Sequence, residues 1–514
     1  MRFFTKLFII FLIGLSVSSG TAQNRRYLDP IFSEVNVSNP VGLAQNYTIL
    51  NWIATQGQAH TLKQPLVAQF YTPKGDTKTN RPLIIYVHTG NFFPYPANGS
   101  CSGTLKDSSN VEIATRLAKM GYVVAVVNYR QGWNPFDQNE LIRRYFLINA
   151  AYRGVQDIST YVRYFRRSVQ DLGNPHGIDP EKITVWGQGT GGYLSLPAAY
   201  LNTYGEILAV PGSKFILPTA AGNIPMVLEP YNGNINGDGP ITTVDATYNA
   251  LSKLPVGDTL CIPNHAGFSS DFALCVNMGG ALGDSTWLGD GEVPLVSFHV
   301  DTDPFAPVET DILNVPTALG PQPVVEVSGS RDLAERADRF GNNDVFKSIP
   351  AGHDPFAAKN PVNHLGYYEF RNTPDNQSGP WEWAAGDNPP STCNKNSVTS
   401  KIYIDTIMGY FAPRACVALG LNCDFNSSVN DLTDAKVNLR MAPNPATTEL
   451  YITVSDETPI RSYAIYDISG RIVRNITDLN SSSVNLRRES LQNGMYFIKM
   501  NFDKGSLTKK VIFE

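Results

Sequence analysis

A short apolar strand that runs straight into a glycine turn constrains this chain most. Ile183-Thr-Val-Trp186 leads into Gly187-Gln188-Gly189-Thr190-Gly191-Gly192, and an apolar helical stretch follows. A strand that reverses into a helix this sharply needs positive φ and room for close backbone approach, and glycine supplies both. The surroundings agree. Leu83-Ile-Ile-Tyr-Val-His88 and Tyr122-Val-Val-Ala-Val-Val-Asn128 are continuous apolar runs of the kind buried on both faces of a sheet. Val111 to Met120, and about Ala150 to Val169, have helical patterns. Further strands are expected at Phe215–Pro218, Leu295–Val300, Val324–Val327 and Val345–Ile349. Repeated βαβ order predicts an α/β fold with a doubly wound, mostly parallel sheet.

The length of 514 residues suggests two or three units. Residues 1–22 form an expected signal peptide. Arg2 and Lys6 precede the apolar run Leu7 to Leu15, and Gly20-Thr21-Ala22 offers small residues for cleavage, giving a mature start near Gln23. No cysteine sits at that junction, which argues against a lipid anchor there, and no later apolar run is long enough to span a membrane. The main domain is expected over 23–425, with a Gly/Asn/Asp/Pro-rich insertion at 224–293. A polar linker at 426–435 leads to a small all-β sandwich at 436–514, where short alternating segments such as Glu449–Val454 and Thr508–Phe513 are separated by turns. A net charge of −5 without a basic stripe excludes a nucleic-acid partner. Six cysteines in an exported chain favour disulfides; Cys261/Cys275, Cys416/Cys423 and Cys101/Cys393 are the pairing preferred among fifteen.

In the form Gly-x-Ser-x-Gly, a strand-to-helix turn presents the serine of α/β-hydrolases. Gly187–Gly191 resembles it, with Gly189 in the place of the serine. Other features are similar to the carboxylesterase branch of that superfamily: Tyr71-Thr-Pro-Lys-Gly-Asp76, His88-Thr89-Gly90, Asn128-Tyr-Arg130 and Val155-Gln-Asp157. The resemblance covers about residues 30–425 and is weaker through 224–293. It implies a triad of the Gly189 position, Asp303 in His299-Val-Asp-Thr-Asp303, and His353 following the last strand, with Asp301 as the rival acid. The backbone N–H groups of Thr190 and of Gly90 or Asn91 would form the oxyanion hole. Two functions follow. One is a secreted esterase-like homologue without the serine nucleophile, a non-hydrolytic ligand-binding or surface protein. The other is an active carboxylic ester hydrolase using Thr190, Ser195 or a water activated by His353. The ligand expected is an ester or acylated carbohydrate.

Ala442-Pro-Asn-Pro-Ala-Thr447, Tyr466-Asp-Ile-Ser-Gly-Arg-Ile-Val473, Leu491-Gln-Asn-Gly-Met-Tyr-Phe-Ile498 and Lys509-Lys-Val-Ile-Phe513 resemble the sorting domain of the type IX (Por) secretion system. That resemblance implies the type IX machinery as a partner, passage through the periplasm, and secretion or surface display with removal of the domain. In physical terms, Asp467/Gly470 and Asn493-Gly494 suit hairpin turns.

No cofactor is required by these patterns, but a structural Ca²⁺ is a candidate. Asn234, Asn236, Asp238 and Asp245 fall at positions 1, 3, 5 and 12 of an EF-hand-like loop, with Gly239 at position 6. Phe92, Phe93, Tyr95 and Trp133 follow strand ends and suit either an aromatic pocket or core packing. Arg143-Arg144 and Arg166-Arg167 read as solvated helix faces.

Overall fold

The computed structural model describes residues 25–49, 60–95, 98, 102–133, 137, 139–219, 222–317, 320–371, 397–425, 434–468, 471–477, 479–503 and 505–514. The signal segment and the Cys101/Cys393 pairing lie outside them. Contacts divide the described chain into two compact units, Arg25–Cys423 and Asp424–Glu514.

The first unit is built on a nine-stranded sheet. Its strands are β1 (Val35–Val37), β2 (Val41–Thr48), β3 (Leu62–Pro73), β4 (Arg81–Val87), β5 (Val123–Val127), β6 (Ile178–Gln188), β7 (Leu274–Met278), β8 (Leu295–Val300) and, after an excursion, β11 (Tyr367–Phe370). Their order is β1-β3-β5-β4-β6-β7-β8-β11, with β2 also on β3. From β5 through β11 every pairing is parallel. β4 and β5 are buried along their whole length, as their apolar runs require. Its helices of seven residues or more are α1 (Ser108–Met120), α2 (Glu140–Gln170), α3 (Gly192–Tyr200), α4 (Ala246–Ser252), α5 (Ser330–Phe340) and α6 (Ser397–Ala418).

Several expectations change here. Phe215–Pro218 does not enter the sheet; Ile216–Thr219 pairs only with Gly222–Pro225. Val324–Val327 belongs to an antiparallel hairpin, β9 (Asp311–Thr317) with β10 (Gly320–Val327), set between β8 and α5. Val345–Ile349 is not a strand; Asp344–Ser348 forms a 3₁₀ turn. A central strand, β7, lies inside the stretch taken as an insertion. Arg143 and Arg144 do not face solvent freely. Arg143 is buried and donates to Pro323 O at 3.3 Å, and Arg144 Nε donates to Val324 O at 2.6 Å, so α2 holds the hairpin.

Cys416–Cys423 is a disulfide at the end of α6. Cys261 and Cys275 are free and buried, which corrects the expected pair. Cys275 on β7 faces α3 and donates to Ser195 O at 3.5 Å, whereas the Cys261 sulfur lies against Asn46 and Gln156. Burial pushes the Cys275 thiol up to about 12, so it is chemically quiet.

The second unit is a sandwich of two antiparallel sheets. One contains β12 (Arg440–Ala442), β13 (Glu449–Thr453) and β16 (Ser483–Arg487); the other contains β14 (Ser462–Tyr466), β15 (Ile472–Ile476), β17 (Gly494–Phe502) and β18 (Gly505–Phe513). Leu450, Ile452, Ile465, Ile498 and Val511 fill its core. Asp467 closes the β14–β15 turn by accepting from Arg471 N–H at 3.1 Å. Asn493-Gly494 is not a hairpin turn. It starts β17 as the chain crosses from one sheet to the other, because β16 pairs with β13 and β17 with β14.

Candidate active site

The turn at the end of β6 is as tight as its glycines suggest. Gly189–Gly191 makes one 3₁₀ turn before α3 begins. A Cβ on Gly191 would lie 2.0 Å from Val87 O, and one on Gly187 2.0 Å from Gly191 O, so the turn packs backbone against backbone. Gly189 has φ +52°, the left-handed conformation expected where a side chain is presented at the strand end.

The facing turn follows β4. His88 is buried, its Nδ1 lies 2.5 Å from Thr89 O, and its ring packs on Tyr129. Burial lowers its pKa, with the Asp107 carboxylate opposing. Gly90, Asn91 and Phe92 all have positive φ. This wraps the chain so that Thr89 and Asn91 meet the elbow. Thr190 N–H donates to Thr89 Oγ1 at 3.3 Å, and Asn91 N–H donates to Thr190 Oγ1 at 2.7 Å. Two N–H groups assigned to the oxyanion hole therefore already have hydroxyl acceptors. A Cβ built on Gly189 would stand 2.4 Å from Thr89 Oγ1 and 3.0 Å from Thr89 Cβ. Thr89 fills the space beside Gly189. The sequence shows Thr89 only as part of the His88-Thr89-Gly90 turn; a threonine there, paired with a glycine at the elbow, is the trace its contact with Gly189 leaves.

Asp303 lies in the turn after β8, where its carboxylate accepts from Phe305 N–H at 2.8 Å. Asp301 is tied there by its backbone, N–H to Phe370 O. His299, at the end of β8, is fully buried. Its Nε2 lies 2.9 Å from Ala306 O, which can only accept, so Nδ1 accepts from the Ser330 hydroxyl at 2.6 Å. Burial lowers its pKa, with Asp303 opposing.

His353 is not brought to this turn. The last parallel strand is β11, and His353 precedes it. α5 carries the chain back from the elbow's end of the sheet to the end where β8 and β11 begin. Asn343, just after α5, accepts from Leu295 N–H at the start of β8, and Asp354 binds Arg414 Nη2 at 2.6 Å. That arginine also stacks on Phe346, which borders Gly366 just before β11. The expectation rested on Val345–Ile349 being the last strand. With that segment a 3₁₀ turn, a triad base belongs after Phe370. The seven histidines are His60, His88, His176, His265, His299, His353 and His364, so none follows β11. Ser195 faces the core, hydrogen-bonded to Gly192 O and Val276 O.

The loop considered for calcium closes on itself. Asn234 Oδ1 accepts from Asp238 and Gly239 N–H, and its amide donates to Asp238 Oδ1 at 2.7 Å. Asp245 caps α4 through Tyr248 N–H and accepts from Tyr231 Oη. Asn236 accepts from Ser270 through its side chain and from Arg163 Nη1 at 2.6 Å through its backbone oxygen. A guanidinium there disfavours a dication. Among the described residues no group of three or more His, Cys, Asp or Glu is placed to hold a metal. Calcium chelation is expected to leave the melting temperature within about 1 °C, because a lost structural site shifts it by several degrees; differential scanning fluorimetry with and without EGTA checks this.

Of the four aromatic candidates, Phe92 lines an apolar cavity beside α3 and Trp133 a smaller one. Phe93 packs edge-on against Trp133, and Tyr95 is exposed.

Comparison with known proteins bears on both units. Residues 68–214 match the BD-FAE family, an esterase-like α/β-hydrolase domain, and residues 440–514 match the secretion system C-terminal sorting domain. The chain is an esterase-like α/β-hydrolase that carries a sorting tail for type IX secretion to the cell surface or beyond. No curated protein matches it. Among solved structures it is similar to a thermophilic esterase of the Planctomycetes species Thermogutta terrifontis. The propionate-bound form is 14% identical with a TM-score of 0.34, over 70% of this chain and 91% of that one. The butyrate-bound form is 14% identical with a TM-score of 0.35 over the same shares. Esterase 2 of the same organism, phosphorylated by paraoxon, is 14% identical with a TM-score of 0.34, over 70% and 90%. Among the described residues no helix is long and apolar enough to cross a membrane.

Proposed function

We propose that residues 25–423 are a non-hydrolytic relative of esterases that binds a ligand at or beyond the cell surface. One observation carries this: Thr89 fills the space beside Gly189, and its hydroxyl holds the Thr190 N–H that an oxyanion would need. The absence of any histidine after β11 adds weight. Acyl transfer on this fold needs an attacking oxygen, a base to take its proton, and free N–H groups for the oxyanion. Losing the nucleophile alone costs about 10⁶ in kcat in a serine protease. The N-terminal leader would take the chain to the periplasm and the tail to the type IX machinery. The test is hydrolysis of p-nitrophenyl acetate and butyrate by the purified protein without its leader. The expected rate equals buffer. Turnover that disappears in Thr89→Val would overturn the proposal and make Thr89 the substitute nucleophile of a working ester hydrolase.

A further inference from the structure

An apolar cavity beside the elbow has a lining unsuited to ester chemistry. It encloses about 680 Å³ of empty space, part of it open to solvent. α2 contributes Leu147 and Ala151, α3 contributes Tyr193 and Pro197, and Leu313 and Val325 of the β9–β10 hairpin also line it.

Its lining includes no Asp, Glu, Lys, Arg or His. Three lining side chains carry a polar atom, and each is already bonded elsewhere. Tyr152 Oη donates to Gly233 O at 2.9 Å, Tyr193 Oη to Phe305 O at 2.9 Å, and Trp287 Nε1 to Glu206 O at 3.2 Å. A ligand's charge or carbonyl would be stripped of water here and find no side-chain partner in exchange, which costs several kcal/mol for an ion. A hydrocarbon surface incurs no such cost and gains from leaving water. Phe92 strengthens the case from the backbone. It lines the cavity with φ +54°, a conformation that costs a bulky residue about 1–3 kcal/mol and persists where the surroundings impose it.

We infer that this cavity binds a neutral, hydrocarbon-rich small molecule, and not an anionic one. The inference names the ligand class for the binding function proposed above and rests on it for its biological sense. The experiment is a fluorescence titration of the chain without its leader with N-phenyl-1-naphthylamine, a neutral apolar probe. 8-Anilinonaphthalene-1-sulfonate, the same aromatic body with a charge, serves as the comparison. Saturable binding of one neutral probe per chain is expected, with the sulfonate at least tenfold weaker. Ala151→Trp, which fills the space from α2, should weaken the neutral probe at least tenfold at unchanged melting temperature. Leu313→Trp does the same from the hairpin should the first variant not fold. Absence of saturable binding, equal affinity for the sulfonate, or unchanged affinity in a folded filling variant would each overturn the inference. Ester turnover with probe binding intact overturns only the non-hydrolytic proposal.

Discussion

Replacing Gly189 with serine is expected to destabilise the protein by about 1–3 kcal/mol and to create no esterase. Restoring the residue that the motif lacks would, in an ordinary elbow, be the obvious repair. Here the new Cβ meets Thr89 Oγ1 at 2.4 Å and Thr89 Cβ at 3.0 Å, on a backbone at φ +52°. Rotating the threonine hydroxyl away relieves the shorter contact but breaks its bond to Thr190 N–H, and the Cβ contact remains. Thr89→Gly removes both atoms. Combining it with Gly189→Ser should recover most of the lost stability, giving a coupling of about 1–2 kcal/mol in a double-mutant cycle. Urea denaturation of the four proteins measures this. p-Nitrophenyl acetate hydrolysis should stay at the buffer rate in all four, because a serine hydroxyl without a base is a poor nucleophile. Additive stabilities would mean that the two positions do not compete for one space. Rapid hydrolysis by Gly189→Ser, blocked by a phosphonate, would mean that a base does reach the turn.

Much of this geometry could be read from residue order. The runs at Leu83–His88 and Tyr122–Asn128 became fully buried parallel strands because nothing polar interrupts them. The glycines of 187–192 marked the elbow because backbone packing leaves no room for a Cβ there. What escaped was set by tertiary context. β7 hides in a polar-looking stretch because Asn277 interrupts its apolar run. In the fold Asn277 is satisfied by Gly280, Ser297 and Ser330, so the strand tolerates it. Val345–Ile349 has the composition of a strand but folds as a 3₁₀ turn below the sheet, and His353 was misplaced with it. The error was topological: a histidine counted from the wrong strand lands at the wrong end of a parallel sheet. Thr89 was passed over because a threonine in a turn is chemically unremarkable until the glycine opposite is known to touch it.

The second large effect is expected far from any ligand, at the pair that the sequence grouped only by resemblance. Arg130 and Asp157 are both fully buried. Asp157 accepts from Arg130 N–H at 2.7 Å and from Arg130 Nε at 2.8 Å, while the guanidinium also reaches Tyr47 O, Arg153 O and Gln156 Oε1. Burial raises the Asp157 pKa and Arg130 opposes it, which describes a charge kept in the interior by its partner. Asp157→Ala leaves a guanidinium buried without its counter-charge and should cost about 3–5 kcal/mol. Asp157→Asn should cost nearly as much, because an amide keeps one acceptor atom but turns donors toward the Arg130 N–H groups. The paired replacement Arg130→Met with Asp157→Leu should cost less than Asp157→Ala, since it removes both charges together. It will not be neutral, because the buried Arg153 carbonyl and Gln156 Oε1 lose the guanidinium as a donor. Urea midpoints of the three variants rank these outcomes. If Asp157→Ala proves the mildest of them, the pair is solvated in solution and the loop joining β5 to α2 is held by something else.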